Sequence, residues 1–215
     1  MKRYVGSKAI CIVFATCSIA YSQGGVPGLD AGTVKDSTYT NSFFAMQLRI
    51  PDGWQVQDNE ATRALLERGK TIVAGDDKNL SAILDASAQK SLPLLTVFKH
   101  PPGSPVDFNP SFMCIVERIQ GLPGIKKGSD YLFHVRKALS SAKLQPTFEK
   151  DIYDAPVGGL ELGILETKLV IGKTTVRQKY YTTILKGYAL SFISSYSSNE
   201  ELQTQNEIIE SIKFR

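Results

Sequence analysis

Two histidines and three cysteines are the chain's natural donors for metal binding or nucleophilic catalysis. His100 falls in a proline-rich loop. His134 falls within a helical segment, beside its apolar stripe. No H-x-x-x-H, C-x-x-C or clustered carboxylate spacing surrounds either, so neither reads as half of a metal site. Cys114 stands inside Phe112-Met113-Cys114-Ile115-Val116, where a thiol serves as a small buried hydrophobe rather than an exposed nucleophile. No G-x-S-x-G is present, and the turns Gly121-Leu122-Pro123-Gly124 and Gly158-Gly159 match neither a phosphate-binding loop nor a dinucleotide fingerprint. No catalytic, cofactor or metal residue is assigned from these patterns.

Glu117 is the more informative acid. By strand alternation it shares a face with Met113, Ile115 and Ile119. If that face is covered, the carboxylate needs a partner, because an unpaired buried charge is costly. Arg177 is the expected ion-pair partner, with Lys179 and Gln178 beside it on a long strand. Otherwise the strand end emerges and water solvates the acid. The loop from His100 to Pro110 carries Pro101, Pro102, Pro105 and Pro110, which pre-set its backbone and lower the entropy of presenting it. Phe108, flanked by Asp107 and Asn109, is there the expected anchor for a partner, together with His100. The plainer reading makes the loop a rigid connector with Phe108 tucked onto the core.

The N-terminus reads as a signal peptide: Lys2, Arg3 and Lys8, then an apolar run from Ala9 to Ala20, then Ala20 and Ser22 placed for cleavage before Gln23. The run falls well short of the roughly 20 apolar residues that span a bilayer. Phe14, Ala15 and Thr16 before Cys17 depart from a lipobox, so no lipid anchor is expected there. The leader holds three of the 25 basic residues and none of the 21 acidic ones, which leaves the remainder within one charge of neutral. The chain's basicity thus belongs to the leader and gives no support to nucleic-acid binding. Cys11 and Cys17 leave with it, so Cys114 has no partner for an internal disulfide.

Residues 23–38 are rich in glycine and small polar side chains and read as a flexible linker. Residues 39–215 form one domain. Strand-like stretches precede and follow the turn Pro51-Asp52-Gly53, with Met46, Leu48 and Ile50 on one face. A helix is predicted over 59–73 with Asn59 as its cap and Ala61, Ala64, Leu65, Arg68 and Ile72 on its broad face. A short helix follows over 80–88. Strands are predicted over 92–99 and 112–119, and a helix over 130–143 with Leu132, Val135, Leu139 and Ala142 as its stripe, capped by Ser129 or Asp130. Strands over 160–171, 174–185 and 188–196 are joined by turns too short for parallel crossovers. Ser198 and Glu201 then form a capping-box pattern before a last helix with Leu202, Gln205, Ile209 and Ile212 inward. Trp54, Leu132, Leu139, Phe192, Ile209 and Ile212 are expected to be buried together. The element order specifies an α+β fold, an antiparallel β-sheet flanked by helices in an αβα sandwich.

Asn41-Ser42-Phe43-Phe44 with Met46 and Leu48, the corner Ile50-Pro51-Asp52-Gly53-Trp54, the turn Lys186-Gly187-Tyr188 and the ending Ile212-Lys213-Phe214 resemble PsbP-like and DcrB-like domains. That resemblance implies an αβα sandwich and an accessory binding role, with no catalytic residues to carry over and no cofactor. The expected function is therefore a secreted or periplasmic, non-enzymatic binding domain whose partner is an envelope or extracellular protein. Two alternatives stand beside it. One is a carrier of a small apolar ligand between sheet and helices, recognisable by an apolar pocket lined from Trp54 and the helix faces. The other is a hydrolase, recognisable by polar groups clustered around a histidine.

Overall fold

The computed structural model describes residues 29–143 and 145–215; the expected signal peptide and cleavage site, Cys17 and the first part of the expected linker lie outside the described residues, as does the side chain of Ile72. Pairing begins within the stretch expected to be linker. Strand β1 (Thr33–Lys35) runs antiparallel to β2 (Thr38–Asn41), and β3 (Met46–Arg49) follows by a tight turn. The Tyr39 hydroxyl donates to the Ala31 carbonyl at 2.8 Å and the Asn41 amide to the Asp30 carbonyl at 2.7 Å, fastening this segment to β2. After β4 (Gln55–Val56) come α1 (Asn59–Ala74), α2 (Lys78–Ala88), β5 (Ser91–Phe98), β6 (Ser111–Arg118) and α3 (Gly128–Ser140). The rest is β7 (Thr147–Phe148), β8 (Tyr153–Val157), β9 (Leu160–Ile171), β10 (Thr174–Leu185), β11 (Tyr188–Tyr196), α4 (Asn199–Glu210) and β12 (Lys213–Phe214).

The strands form two antiparallel sheets. The larger runs β4-β5-β6-β11-β10-β9-β7, with β8 also on β9, and the smaller runs β1-β2-β3-β12. Turn chemistry fixes the large sheet's register: Lys186 and Gly187 take φ of 53° and 83°, the left-handed pair that a two-residue hairpin requires. Because side chains alternate, the large sheet carries two cores. Met113, Ile115, Leu165, Tyr180 and Ile193 pack under α1, α2 and α3, around Leu132 and Leu139. Phe112, Cys114, Ile164, Leu190 and Phe192 face the small sheet and α4, around Ile209 and Ile212. The expected single cluster is thus divided between opposite faces, and Trp54 lies half-buried at the edge of the second. The α+β class stands, with the second outer layer built from a small sheet as well as a helix.

Local signals account for the helix ends. Asp58, one residue before the expected cap, accepts from the Ala61 amide at 2.7 Å. The buried face of α1 is Thr62, Leu66, Gly69 and Val73, one residue round from the predicted stripe, while Ala61, Ala64 and Arg68 are exposed. Helix α3 starts at Gly128, and Asp130 sits at its third position, accepting from the Lys126 and Lys127 amides at 2.9 and 3.0 Å instead of capping directly. In α4, Ser198 and Glu201 form the reciprocal capping box. Among the described residues no helix is long and apolar enough to cross a membrane.

Candidate functional site

Helices α1 and α2 lie over β5, whereas α3 lies over β9 and β10. Strands β6 and β11 sit between these in the sheet, so the two helical blocks leave a gap above them. Helix α2 turns Leu80, Leu84 and Ala88 inward, which puts Ile83 and Ser87 on its flank. Helix α3 turns Tyr131, Leu132, Val135 and Leu139 inward, which puts His134 and Ala138 on its flank. Between the flanks runs a cleft of about 380 Å³, also lined by the Leu122–Ile125 segment of the β6–α3 connection. Its lining is mostly aliphatic. A narrower space of about 10 Å³ continues toward the sheet beside Tyr131, Tyr180 and Ser191.

Glu117 stands at the junction of both spaces. Its Oε2 accepts from the Tyr131 hydroxyl at 2.7 Å and from the Ser87 hydroxyl at 2.9 Å. Burial pushes its carboxyl above the ordinary carboxylate range; the two hydroxyl bonds and the more distant Lys90 charge pull the other way without reversing the shift. Arg177 is not its partner. Side chains at 177 and 179 project from the other face of the sheet, and the pairing of Arg177 with Tyr196 places it toward the far end of β6. Arg177 instead lies 3.6 Å from Glu149, Lys179 lies 3.5 Å from Glu166, and Gln178 donates to Ser195 at 2.9 Å. The partners that Glu117 does have, hydroxyls from two helices, escaped the sequence reading because no spacing along the chain links residues 87, 117 and 131.

The linkage sign follows from the raised value. The folded state holds the Glu117 proton more tightly than the unfolded chain does. This group's contribution to stability is therefore fully present below the ordinary carboxylate range and is lost as pH rises through the raised folded-state value. Replacing Glu117 with Gln keeps the size and the hydrogen-bonding capacity and removes the titration. Denaturant unfolding across pH 4–8 is expected to show the variant gaining on the native chain as pH rises, by about 1.4 kcal/mol for each unit of upward shift. A gap that is constant with pH, or that closes as pH rises, would contradict the desolvation.

The proline-rich loop lies at the opposite end of β5 and β6. Asn109 is 4% exposed, and its side chain clamps the loop: Oδ1 accepts from the His100 amide at 3.0 Å and Nδ2 donates to the His100 carbonyl at 2.8 Å. Phe108 is 6% exposed, which corrects its expected role as an exposed anchor; of the four residues proposed there, only Asp107 is exposed. His100 is half-buried, with its backbone held. Cys114 is buried in the second core, and desolvation pushes its thiol up, away from nucleophilic use. A second carboxylate, Glu166, is pushed up by burial, but the Tyr153 hydroxyl bond and the Lys179 and Lys150 charges outweigh that and hold it low. Its charge is answered within the fold.

Two exposed large hydrophobic residues line the cleft, and a third, Phe133, neighbours its lining residue His134. Ile83 is 60% exposed and Leu122 is 41% exposed, and both line it. Phe133 is 61% exposed and packs edge-on against the His134 ring. Isolated exposed hydrophobic residues need no explanation, but a group rimming an apolar cleft marks a binding surface.

No protein-family model matches the sequence, and no curated protein does. Among solved structures the chain is similar to the cyanobacterial PsbP protein CyanoP of Synechocystis, at 14% identity, covering 91% of this chain and 98% of that one, with a TM-score of 0.51. LpqN of Mycobacterium tuberculosis, described as involved in cell envelope biogenesis, is similar at 14% identity over 78% of this chain and 82% of that one, with a TM-score of 0.40. A Bacteroides thetaiotaomicron protein is similar at 9% identity over 80% of this chain and 45% of that one, with a TM-score of 0.43. At 14% identity the likeness to CyanoP is one of architecture alone: the antiparallel sheet between a helical layer and a mixed layer is the PsbP-like fold.

Proposed function

We propose that this chain is an exported, non-enzymatic binding domain of the bacterial envelope or exterior, and that the α2–α3 cleft holds an apolar group of its partner or ligand. The leader sequence of residues 1–22 supports export. The observation that carries the binding reading is the cleft itself, an open, mostly aliphatic space of about 380 Å³ with few polar groups at its floor. Pockets of this size and character hold small molecules or single anchoring side chains. The pocket is built from α2, α3 and the β6–α3 connection rather than from Trp54. A hydrolase would need His134 to take a proton from Ser87. The Ser87 hydroxyl instead donates to Glu117.

A neutral apolar dye, N-phenyl-1-naphthylamine, tests this reading. Its fluorescence is expected to rise saturably with the native protein. Ala138→Trp, which fills the cleft from the flank of α3, should weaken binding at least about tenfold, or about 1.4 kcal/mol, with the melting temperature nearly unchanged. Dye binding that is indifferent to Ala138→Trp would place the apolar site elsewhere and defeat the proposal.

A further inference from the structure

Glu117 sets a condition on what the cleft accepts. Among the described residues no lysine, arginine or histidine nitrogen lies within 4 Å of its carboxylate; several cations of this fold pair with other acids, Lys70 with Asp85, Lys127 with Asp154 and Lys150 with Glu166. Its two hydrogen bonds come from neutral hydroxyls and both reach Oε2, which leaves Oε1 for a third donor. Lys90, two residues beyond α2, acts only from a distance, and among the described residues the other ionisable side chains lining the cleft are His134 and Tyr131. A carboxyl group at the floor of an aliphatic cleft, with no cation in contact, favours a ligand that brings one and so holds it ionised: charge-assisted hydrogen bonds are about twice as strong as neutral ones, and partial desolvation strengthens them further.

We infer that the cleft recognises an apolar primary amine, its ammonium group set against Glu117 and its hydrocarbon body between Ile83 and Leu84 of α2 and Val135 and Ala138 of α3. This rests on the proposed binding role of the cleft and names the chemistry that role would serve. Geometry matches the demand. The carboxylate lies at the inner end, next to Tyr131, and the aliphatic flanks extend outward to the exposed rim at Ile83 and Leu122. An aliphatic acid would meet Glu117 as a like charge and is disfavoured by the same arrangement.

Calorimetric titration with 4-phenylbutylamine, 4-phenylbutan-1-ol and 4-phenylbutyrate at pH 7.5 separates the contributions, since the three share one apolar body. The native protein is expected to bind the amine at least about tenfold more tightly than the alcohol, a difference of about 1.4 kcal/mol, and the acid most weakly. Glu117→Gln should bind amine and alcohol alike, with the alcohol's affinity kept. Equal affinities in the native protein, or an amine preference that survives Glu117→Gln, would overturn the inference while leaving an apolar cleft in place. Failure of all three compounds to bind would overturn the inference and the binding role together.

Discussion

Alanine at Gly128 is expected to cost about 3 kcal/mol or more of folding stability, far beyond the typical loss for a small surface change. Gly128 opens α3 and is buried against the sheet, where a methyl group would overlap the carbonyl oxygen of Thr182 and crowd the amide of Gly163. Gly163 meets the backbone of Gly128 and Ser129 in return. Backbone faces backbone on both sides, so no side chain can rotate away to make room. Helix α3 must lift, and it carries Tyr131, which bonds Glu117, together with the whole α3 flank of the cleft. Urea unfolding of Gly128→Ala beside Gly124→Ala, whose added methyl meets nothing within 4 Å, isolates the effect. The control is expected to stay within about 0.5 kcal/mol of the native chain. A loss under about 1 kcal/mol at Gly128 would show that the helix does not rest on the sheet backbone.

Truncating Phe192 to alanine is expected to remove about 3–5 kcal/mol. Phe192 is fully buried on β11, a central strand, and stacks on Phe112 with ring centroids 6.1 Å apart. Its pocket is bounded by the small sheet and α4, elements with little freedom to close on the space left behind. Because the side chain faces away from α2 and α3, the folded fraction should bind an apolar dye with native affinity. A small loss in denaturant unfolding, or a changed dye affinity in the folded protein, would mean that the two cores are not separated as described.

The parts of this architecture written in local chemistry are legible in the sequence, and the parts settled by long-range contact are not. The hairpins around Gly172-Lys173 and Lys186-Gly187 announce themselves because their backbone angles favour particular residues, and the bounds of β9, β10 and β11 follow. The α4 capping box is equally explicit. By contrast, β8 contains Pro156 and alternates half-buried with exposed residues, which suits a strand at the sheet margin and gives little apolar signal. Strands β1, β7 and β12 are too short to carry a pattern. The stripe of α1 was misplaced by one residue because Leu65 and Leu66 both offer apolar surface, and only the sheet beneath decides which turns inward.

The candidate site divides in the same way. Alternation marked Glu117 as an acid on an inward face, and that placement holds. Its partners could not be read, since Ser87 and Tyr131 reach it from helices whose positions over the sheet are set by packing. Phe108 shows the opposite failure: proline content suggested a presented loop, but Asn109 uses both ends of its amide to fold the loop onto His100 and carries Phe108 inward. Composition cannot distinguish a loop made rigid for a partner from one made rigid by its own hydrogen bonds.

Amide chemical-shift mapping of the uniformly ¹⁵N-labelled protein with N-phenyl-1-naphthylamine tests most directly whether the α2–α3 cleft is the binding site. The largest shifts are expected at Ile83, Leu84, Ser87, Glu117, Tyr131, Val135 and Ala138, with the loop from His100 to Asn109 and the α4 face unmoved. Shifts centred on the proline-rich loop or on the small sheet, with the cleft residues silent, would contradict the account.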